Sequence, residues 1–202
     1  MIARPEKYDE IVVNEDFERL ELGAHKGIIK KVVEYVSPIS NKKSLKVEVD
    51  TATNDKQPGY FQEQYDKNTN SDKKWSNSGT KYVSLGEEEA CVKMLKGFLT
   101  AVENSNVGFN YDWNKEVDQL NGKKIGLVFG LEEYTDQEGK TKTATKLVQF
   151  RSLDKLDAVK IPKVKTLSNE YIDYEEYQTR TARKDDLSSF GTVVEIGDDF
   201  PF

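Results

Sequence analysis

Three groups of residues in this chain offer chemistry beyond packing. The first is a series of aromatics in a long polar stretch, 54–78. Tyr60, Phe61, Tyr65 and Trp75 alternate there with Lys56, Lys67, Lys73 and Lys74; Tyr82 follows, and Tyr134 comes later. Flat rings on loops can stack unpaired bases at about 1–3 kcal/mol per base, whatever the sequence, because every base has a π face. The second group comprises Lys26, Lys31, Lys46, Lys81, Lys142, Lys146 and Arg151 on strand-like segments. Such cations neutralise phosphates, with an affinity that falls as salt returns the counterions. The third is the ending Asp198-Asp199-Phe200-Pro201-Phe202. Two acids before an aromatic, a proline and a terminal phenylalanine suit a partner pocket with a basic rim. The competing readings are ordinary: rings packed under a loop, lysines on a solvated strand face, and an end that folds back on its own domain.

Bond-making chemistry has little support. Cys91 and His25 are the only Cys and His, too few for a zinc site of the usual kind. Cys91 falls in an apolar helical pattern that favours packing, and His25 reads as structural or exposed. Glu132, Glu133, Asp136 and Glu138 cluster around a turn, where a solvated acidic turn is the simpler reading than a metal site. No glycine loop ends in Lys-Ser or Lys-Thr, so no motor nucleotide site is visible. The expectation is a protein that is not an enzyme and needs no cofactor or metal.

Charge is distributed unevenly. The chain has 202 residues, 33% charged and 36% hydrophobic, with a net charge of -6. From Ser168 to Phe202 nine acids face three bases, so that segment alone carries -6 and the remainder is neutral. The acidity belongs to the end of the chain, and any basic surface elsewhere is local. No apolar run is long enough for a membrane span, and Met1-Ile2-Ala3-Arg4-Pro5 does not open a signal peptide. With one cysteine the chain suits a reducing cytoplasm.

The elements that must position these residues follow from periodicity. Residues 1–20 read as an extension with apolar positions Ile11, Val12, Val13, Phe17 and Leu20. His25 to Val36 is rich in β-branched residues, with Gly27 marking a bulge or a sharp coil. Ser44 to Asp50 alternates Leu45, Val47 and Val49 with polar residues, giving the second arm of a hairpin. Gly79 to Val83 predicts a short third strand. Glu87 to Asn104 predicts a helix with Val92, Leu95, Leu99 and Val102 on one stripe, widened by Cys91, Met94 and Phe98. A short helix from about Trp113 to Leu120 would turn Trp113, Val117 and Leu120 inward. Lys123 to Tyr134 and Lys142 to Arg151 predict a second hairpin, with Gly126, Val128 and Gly130 leaving room for a close neighbour. Beyond Ser168 the chain is polar and aperiodic and reads as a flexible acidic tail.

Five strands with a helix between the third and fourth is the order of an OB-fold, a mainly β barrel that binds oligonucleotides. An open antiparallel sheet with a helix across one face is the alternative. The expected domains are 1–20, an OB-like body at 21–167 and the tail at 168–202.

Several blocks carry a family resemblance. They are Leu22-Gly23-Ala24, Gly59-Tyr60-Phe61 with Tyr65 and Trp75, the helix end Leu95-Lys96-Gly97-Phe98 through Glu103-Asn104-Ser105-Asn106, Gly126-Leu127-Val128-Phe129-Gly130 with Glu132-Glu133-Tyr134, and Pro162-Lys163-Val164-Lys165. In this order, over about residues 20–167, the chain resembles the single-stranded DNA-binding proteins of Gram-positive bacteriophages and prophages. The ending resembles the acidic tip of bacterial single-stranded DNA-binding proteins, with Phe200 where an aliphatic residue is typical. The resemblance implies an OB-like fold and non-specific binding of single-stranded DNA in phage replication, recombination or repair, within an infected or lysogenic cytoplasm. It also implies recruitment of replication and recombination proteins through the tip. A homo-oligomer is compatible with all of this. Two alternatives stand beside it: a replisome adaptor that binds no DNA, and a strand-annealing recombination protein.

Overall fold

The structure, a computed structural model, describes Arg4 and residues 18–189. It is mainly β, with seven strands in one sheet and three α-helices among the described residues. The strands are β1 (Gly23–Val36), β2 (Lys43–Thr51), β3 (Thr80–Ser84), β4 (Lys124–Thr135), β5 (Thr141–Arg151), β6 (Val164–Lys165) and β7 (Tyr171–Ile172). The helices are α1 (Tyr60–Lys67), α2 (Glu89–Ser105) and α3 (Tyr174–Ser189). The sheet runs β3-β2-β1-β4-β6-β7, with β5 also paired to β4. No hydrogen-bonded ladder joins β3 to β5 among the described residues, so the sheet curls without closing. The sequence suggested five strands; β6 and β7 have two residues each, too short to display a period of two.

β1 belongs to two ladders. Its first half, Gly23–Ile28, pairs with β4, and Gly27–Val36 pairs with β2. The strand must therefore coil between two partners, and the ladder with β2 slips at Lys30, between Ile29 and Lys31. Gly27 is not itself the bulge. It sits where both ladders overlap, opposite Thr51 and Ile125. A Cβ there would lie 2.4 Å from Leu127 Cδ1 and 3.1 Å from the Ile125 carbonyl. Gly27→Ala should therefore cost about 1–3 kcal/mol by overpacking; a urea melt checks it, and an unchanged midpoint would remove this account of the glycine.

The core lies on one face of the curled sheet. Ile29, Val32, Leu45, Val47, Val49 and Val83 meet Phe98, Leu99 and Val102 of α2 and Leu127, Phe129, Leu147 and Phe150 of the second hairpin. The expected stripe holds in the second half of α2, where Phe98, Leu99 and Val102 are buried together with Ala101; in the first half Leu95 is half-buried against the core, while Val92 and Met94 are exposed. The C-terminal half of α2 lies over the core, and of the apolar residues in its first half Leu95 reaches that core. The helix end is stitched by its polar residues. Asn106 Nδ2 donates to the carbonyls of Val102 (2.7 Å) and Lys124 (2.8 Å), and Asn106 Oδ1 accepts from Lys124 N (3.0 Å). Ser105 Oγ donates to the Ala101 carbonyl and accepts from Leu153 N. The Asn104-Ser105-Asn106 block thus joins α2 to β4 and to the 153–155 turn.

The small residues of β4 are covered by the chain itself. A Cβ on Gly126 would meet Leu156 Cδ2 at 2.6 Å, and one on Gly130 would meet Pro162 Cβ at 3.1 Å. The close neighbour is the 153–163 connection.

Two further readings are corrected. Within 168–189, expected to be a flexible tail, lie β7 and α3. β7 is held by its ladder with β6 and by the buried Ile172, and α3 by Tyr177 OH donating to Glu133 Oε1 (2.8 Å). β6 and the turn after it are tied in turn by Lys165 Nζ donating to Glu132 (2.7 Å) and Leu167 N donating to Glu133 Oε2, contacts that no local pattern announces. The expected short helix is a 3-10 turn, Val117–Leu120, and Trp113 lies outside it, 71% exposed rather than turned inward. Of the N-terminal extension, Leu20 is buried in the core; Ile11, Val12, Val13 and Phe17 lie outside the described residues, as does the tip Asp198, Asp199, Phe200, Pro201 and Phe202.

Candidate nucleic-acid interface

The polar connection 54–78 is organised by residues at the end of β2. Gly59 precedes α1 with φ 66° and supplies no side-chain cap. The first amides of the helix are met instead by β2: Thr51 Oγ1 accepts from Tyr60 N (2.9 Å) and Asp50 Oδ1 from Phe61 N (2.8 Å). Burial pushes the Asp50 carboxyl above its ordinary range, against the pull of those amides.

This arrangement decides the fate of the expected stacking residues. Phe61 is 1% exposed, tilted against Phe129 in the core and lying under Gly79. It has no free face for a base. Tyr60 packs edge-on to Phe61, and its hydroxyl accepts from Leu20 N (3.0 Å). Trp75 is pinned to β2 by Nε1 donating to the Val49 carbonyl (3.2 Å). Phe61 is thus a packing residue, while Tyr60 and Trp75 are half-buried against the core and each is held by a hydrogen bond. Tyr65 stacks at a tilt on Trp75 with ring centroids 5.7 Å apart, and Lys73 Nζ lies 4.6 Å from the Tyr65 ring centre. Tyr65 borders a surface cavity of about 490 Å³ lined also by Lys67, Asn68, Asn70 and Lys74. A base could use the ring by taking the place of Lys73.

The clearest open aromatic site is on the sheet. Strand register places Lys31 opposite Glu48, Val33 opposite Lys46, and Tyr35 opposite Ser44. It places Lys46 opposite Tyr82 and Ser44 opposite Ser84. By the period of two, all of these share the face turned away from Val32, Leu45, Val47 and Val83. Tyr82 is 47% exposed and meets Tyr35 at a tilt, centroids 5.1 Å apart. Lys46 Nζ pairs with Glu48 (2.6 Å), and Lys31 is exposed without an ion pair among the described residues. Two tyrosines with two flanking lysines thus form a platform across three strands. Tyr35 was missed by the sequence reading; the signal was available as an aromatic in phase with Lys31 and Val33, but its neighbour depends on register.

A second stripe lies on the outward face of the β4–β5 hairpin. Tyr134 pairs with Lys142 across the strands, and Lys146 lies opposite Gly130. Lys142 Nζ pairs with Asp136 (2.8 Å). That contact, with the Lys140 and Glu138 amides, holds the Asp136 carboxyl below its ordinary range. A phosphate would have to compete with Asp136 for Lys142. Further along the same face Lys26 and Arg151 flank Gly126 from either side.

Lys81 is different. It points to the core side, opposite Val47, and its ammonium donates to the Leu147 carbonyl of β5 at 3.4 Å. Burial pushes its pKa down. Lys81 therefore bridges β3 to β5 where the ladder does not, and it does not present a charge to the platform.

The acidic turn is fully engaged. Besides the Glu132–Lys165, Glu133–Tyr177 and Asp136–Lys142 contacts, Glu138 pairs with Lys140. No metal-holding cluster occurs among the described residues. The Tyr177 hydroxyl, partly buried and donating to Glu133, has its pKa pushed up to about 12. A raised folded pKa adds stability that is complete below the unfolded value of about 10 and is lost as pH rises through the folded one. Stability should therefore fall between about pH 10 and 12 in a way that Tyr177→Phe removes. Urea midpoints across that range check it, and parallel curves for both proteins would refute it.

His25 is buried rather than exposed. It is 1% exposed, with Nδ1 2.8 Å from Asp55 Oδ1 and Nε2 3.0 Å from the Glu21 carbonyl. It ties β1 to the loop before α1.

No protein-family model matches the chain, and no curated protein matches it. Among the described residues no helix is long and apolar enough to cross a membrane.

Proposed function

We propose that this protein coats single-stranded DNA without sequence preference. The observation that carries the reading is the outward-facing Tyr35–Tyr82 pair, Tyr82 exposed and Tyr35 half-buried, flanked by Lys31 and Lys46. Two rings offer π faces to bases, and the lysines lie along a phosphate path. The Tyr134–Lys142–Lys146 stripe adds a ring and further cations at the hairpin, Lys26 and Arg151 stand at either side of the stretch that Leu156 covers, and Tyr65 adds a further ring beside its cavity. The strand order β3-β2-β1-β4-β5, with α2 between β3 and β4 and Lys81 spanning from β3 to β5, supports an OB-like barrel as the finer description of the fold. On this reading the protein is not an enzyme. The resemblance to phage and prophage proteins supports a role in replication, recombination or repair in the bacterial cytoplasm, and the tip Asp198-Asp199-Phe200-Pro201-Phe202 recruits the enzymes of those processes.

Fluorescence titration with oligo-dT at low and high salt tests the reading. Saturable binding should weaken with salt, with a log–log slope of about -0.7 per phosphate contacted. Lys31→Ala and Lys46→Ala should each lower that slope by roughly one contact, and duplex DNA should bind far more weakly. No binding at low salt would discard the coating function and leave an adaptor that works through its tip. Pairing of complementary strands by the protein alone would instead favour the annealing role.

A further inference from the structure

We propose that the groove between α2 and the 109–117 segment docks a partner-protein peptide that sets a large apolar side chain beside a lysine or arginine. The groove has two lobes, of about 250 and 380 Å³, which meet at Leu95, Leu99, Tyr111 and Trp113. Trp113, although exposed, is not loose: its ring meets Tyr111 edge-on, centroids 4.9 Å apart. Tyr111 is in turn held to α2, where Glu103 Oε1 accepts from its amide (2.9 Å). An apolar cleft whose lip is a braced indole is the form that a peptide anchor fills, and tryptophan is over-represented among residues that dominate binding energy.

Charge selects the occupant. Glu34 and Glu116 line the inner lobe, and neither has an ion pair among the described residues. The one base in that lobe, Lys115, is within 3.6 Å of Asp112. In the outer lobe Lys96 stands with Glu103. Burial, and then the charges of Glu34 and Glu116 nearby, push the Tyr111 hydroxyl pKa up. Residues 5–17 contain five acids and one base, and residues 190–202 contain three acids and no base. The chain's own ends and a phosphate backbone are thus mismatched to the inner lobe, whereas a basic, apolar peptide fits it. The groove is on the α2 side, separate from the tyrosine platform, and does not depend on the nucleic-acid reading.

A random twelve-residue peptide library selected on the immobilised full chain is the test. Enriched peptides should combine Lys or Arg with Leu, Ile, Phe or Trp. Their affinity should fall at least tenfold on Trp113→Ala and, independently, on Glu34→Lys combined with Glu116→Lys, with unchanged urea midpoints. Oligo-dT affinity should be the same in Trp113→Ala, so that failure here and failure of DNA binding are told apart. No enrichment, enrichment of acidic peptides, or binding indifferent to Trp113 would overturn the proposal. So would equal affinity for a synthetic 190–202 peptide, or self-association abolished by Trp113→Ala, which would give the groove to the chain's own end or to a second copy.

Discussion

Replacing Tyr35 and Tyr82 together by alanine is expected to weaken oligo-dT binding by about 2–6 kcal/mol, at about 1–3 kcal/mol per stacked base. At 1.4 kcal/mol per factor of ten, even the lower figure is a loss of roughly thirtyfold. The two rings touch, at 5.1 Å between centroids, so their effects should couple. Each single alanine variant should lose more than half of what the pair loses if one ring braces the other. Phenylalanine at both positions keeps the π faces and should retain most of the affinity, which separates stacking from hydroxyl hydrogen bonding. Both positions face away from the core, so circular dichroism and the urea midpoint should barely move. An affinity within twofold of the parent would remove the platform from the DNA path and shift attention to Tyr134 and Tyr65.

Removing either member of the His25–Asp55 pair should cost about 1–3 kcal/mol of folding stability, because a buried polar group loses a hydrogen-bond partner. The Asp55 side chain is only 4% exposed. Its Oδ2 accepts from Lys26 N (2.7 Å), and its Oδ1 accepts from Gln57 N (3.0 Å) as well as facing His25. The pair therefore binds three segments at once: the 18–21 approach through the Glu21 carbonyl, β1 through Lys26, and the loop that leads into α1. His25 also meets Phe129 edge-on at 5.5 Å, so its loss loosens the core beneath. Urea denaturation of His25→Ala, Asp55→Ala and the double variant is the measurement. The double should cost clearly less than the sum, since each single change already forfeits the shared contact. Strictly additive costs, or single losses below about 1 kcal/mol, would show that the pair is not the clasp described.

Periodicity accounts for what could be read in advance. β2 alternates Leu45, Val47 and Val49 with charged residues because one face is buried, and that pattern is local. β1, β4, β5 and α2 were legible for the same reason, each within a few residues of its limits. Lys26, Lys31, Lys46, Tyr82, Tyr134, Lys142, Lys146 and Arg151 could be placed on outward strand positions once their strands were recognised. α1 was missed because its helix-starting contacts come from Asp50 and Thr51, nine or more residues earlier. Phe61 offers the same flat ring on paper as Tyr82, and only its burial against the end of the sheet separates a packing ring from an exposed one.

The sequence by itself determined the sign and position of charge, the strand and helix periods, and the supply of aromatics and lysines, since each of these is written in neighbouring residues. Tertiary structure alone decided which of those groups share a surface. The partner of Tyr35 is Tyr82, 47 residues away. Lys81 turns from phosphate ligand to seam because its strand parity points it at Leu147. His25 finds Asp55 across a separation of 30 residues. Trp113 stays at the lip of a groove because the helix expected to carry it begins only at Val117. Register and crossover set these pairings, and a one-residue slip in register would send each strand residue to the opposite face.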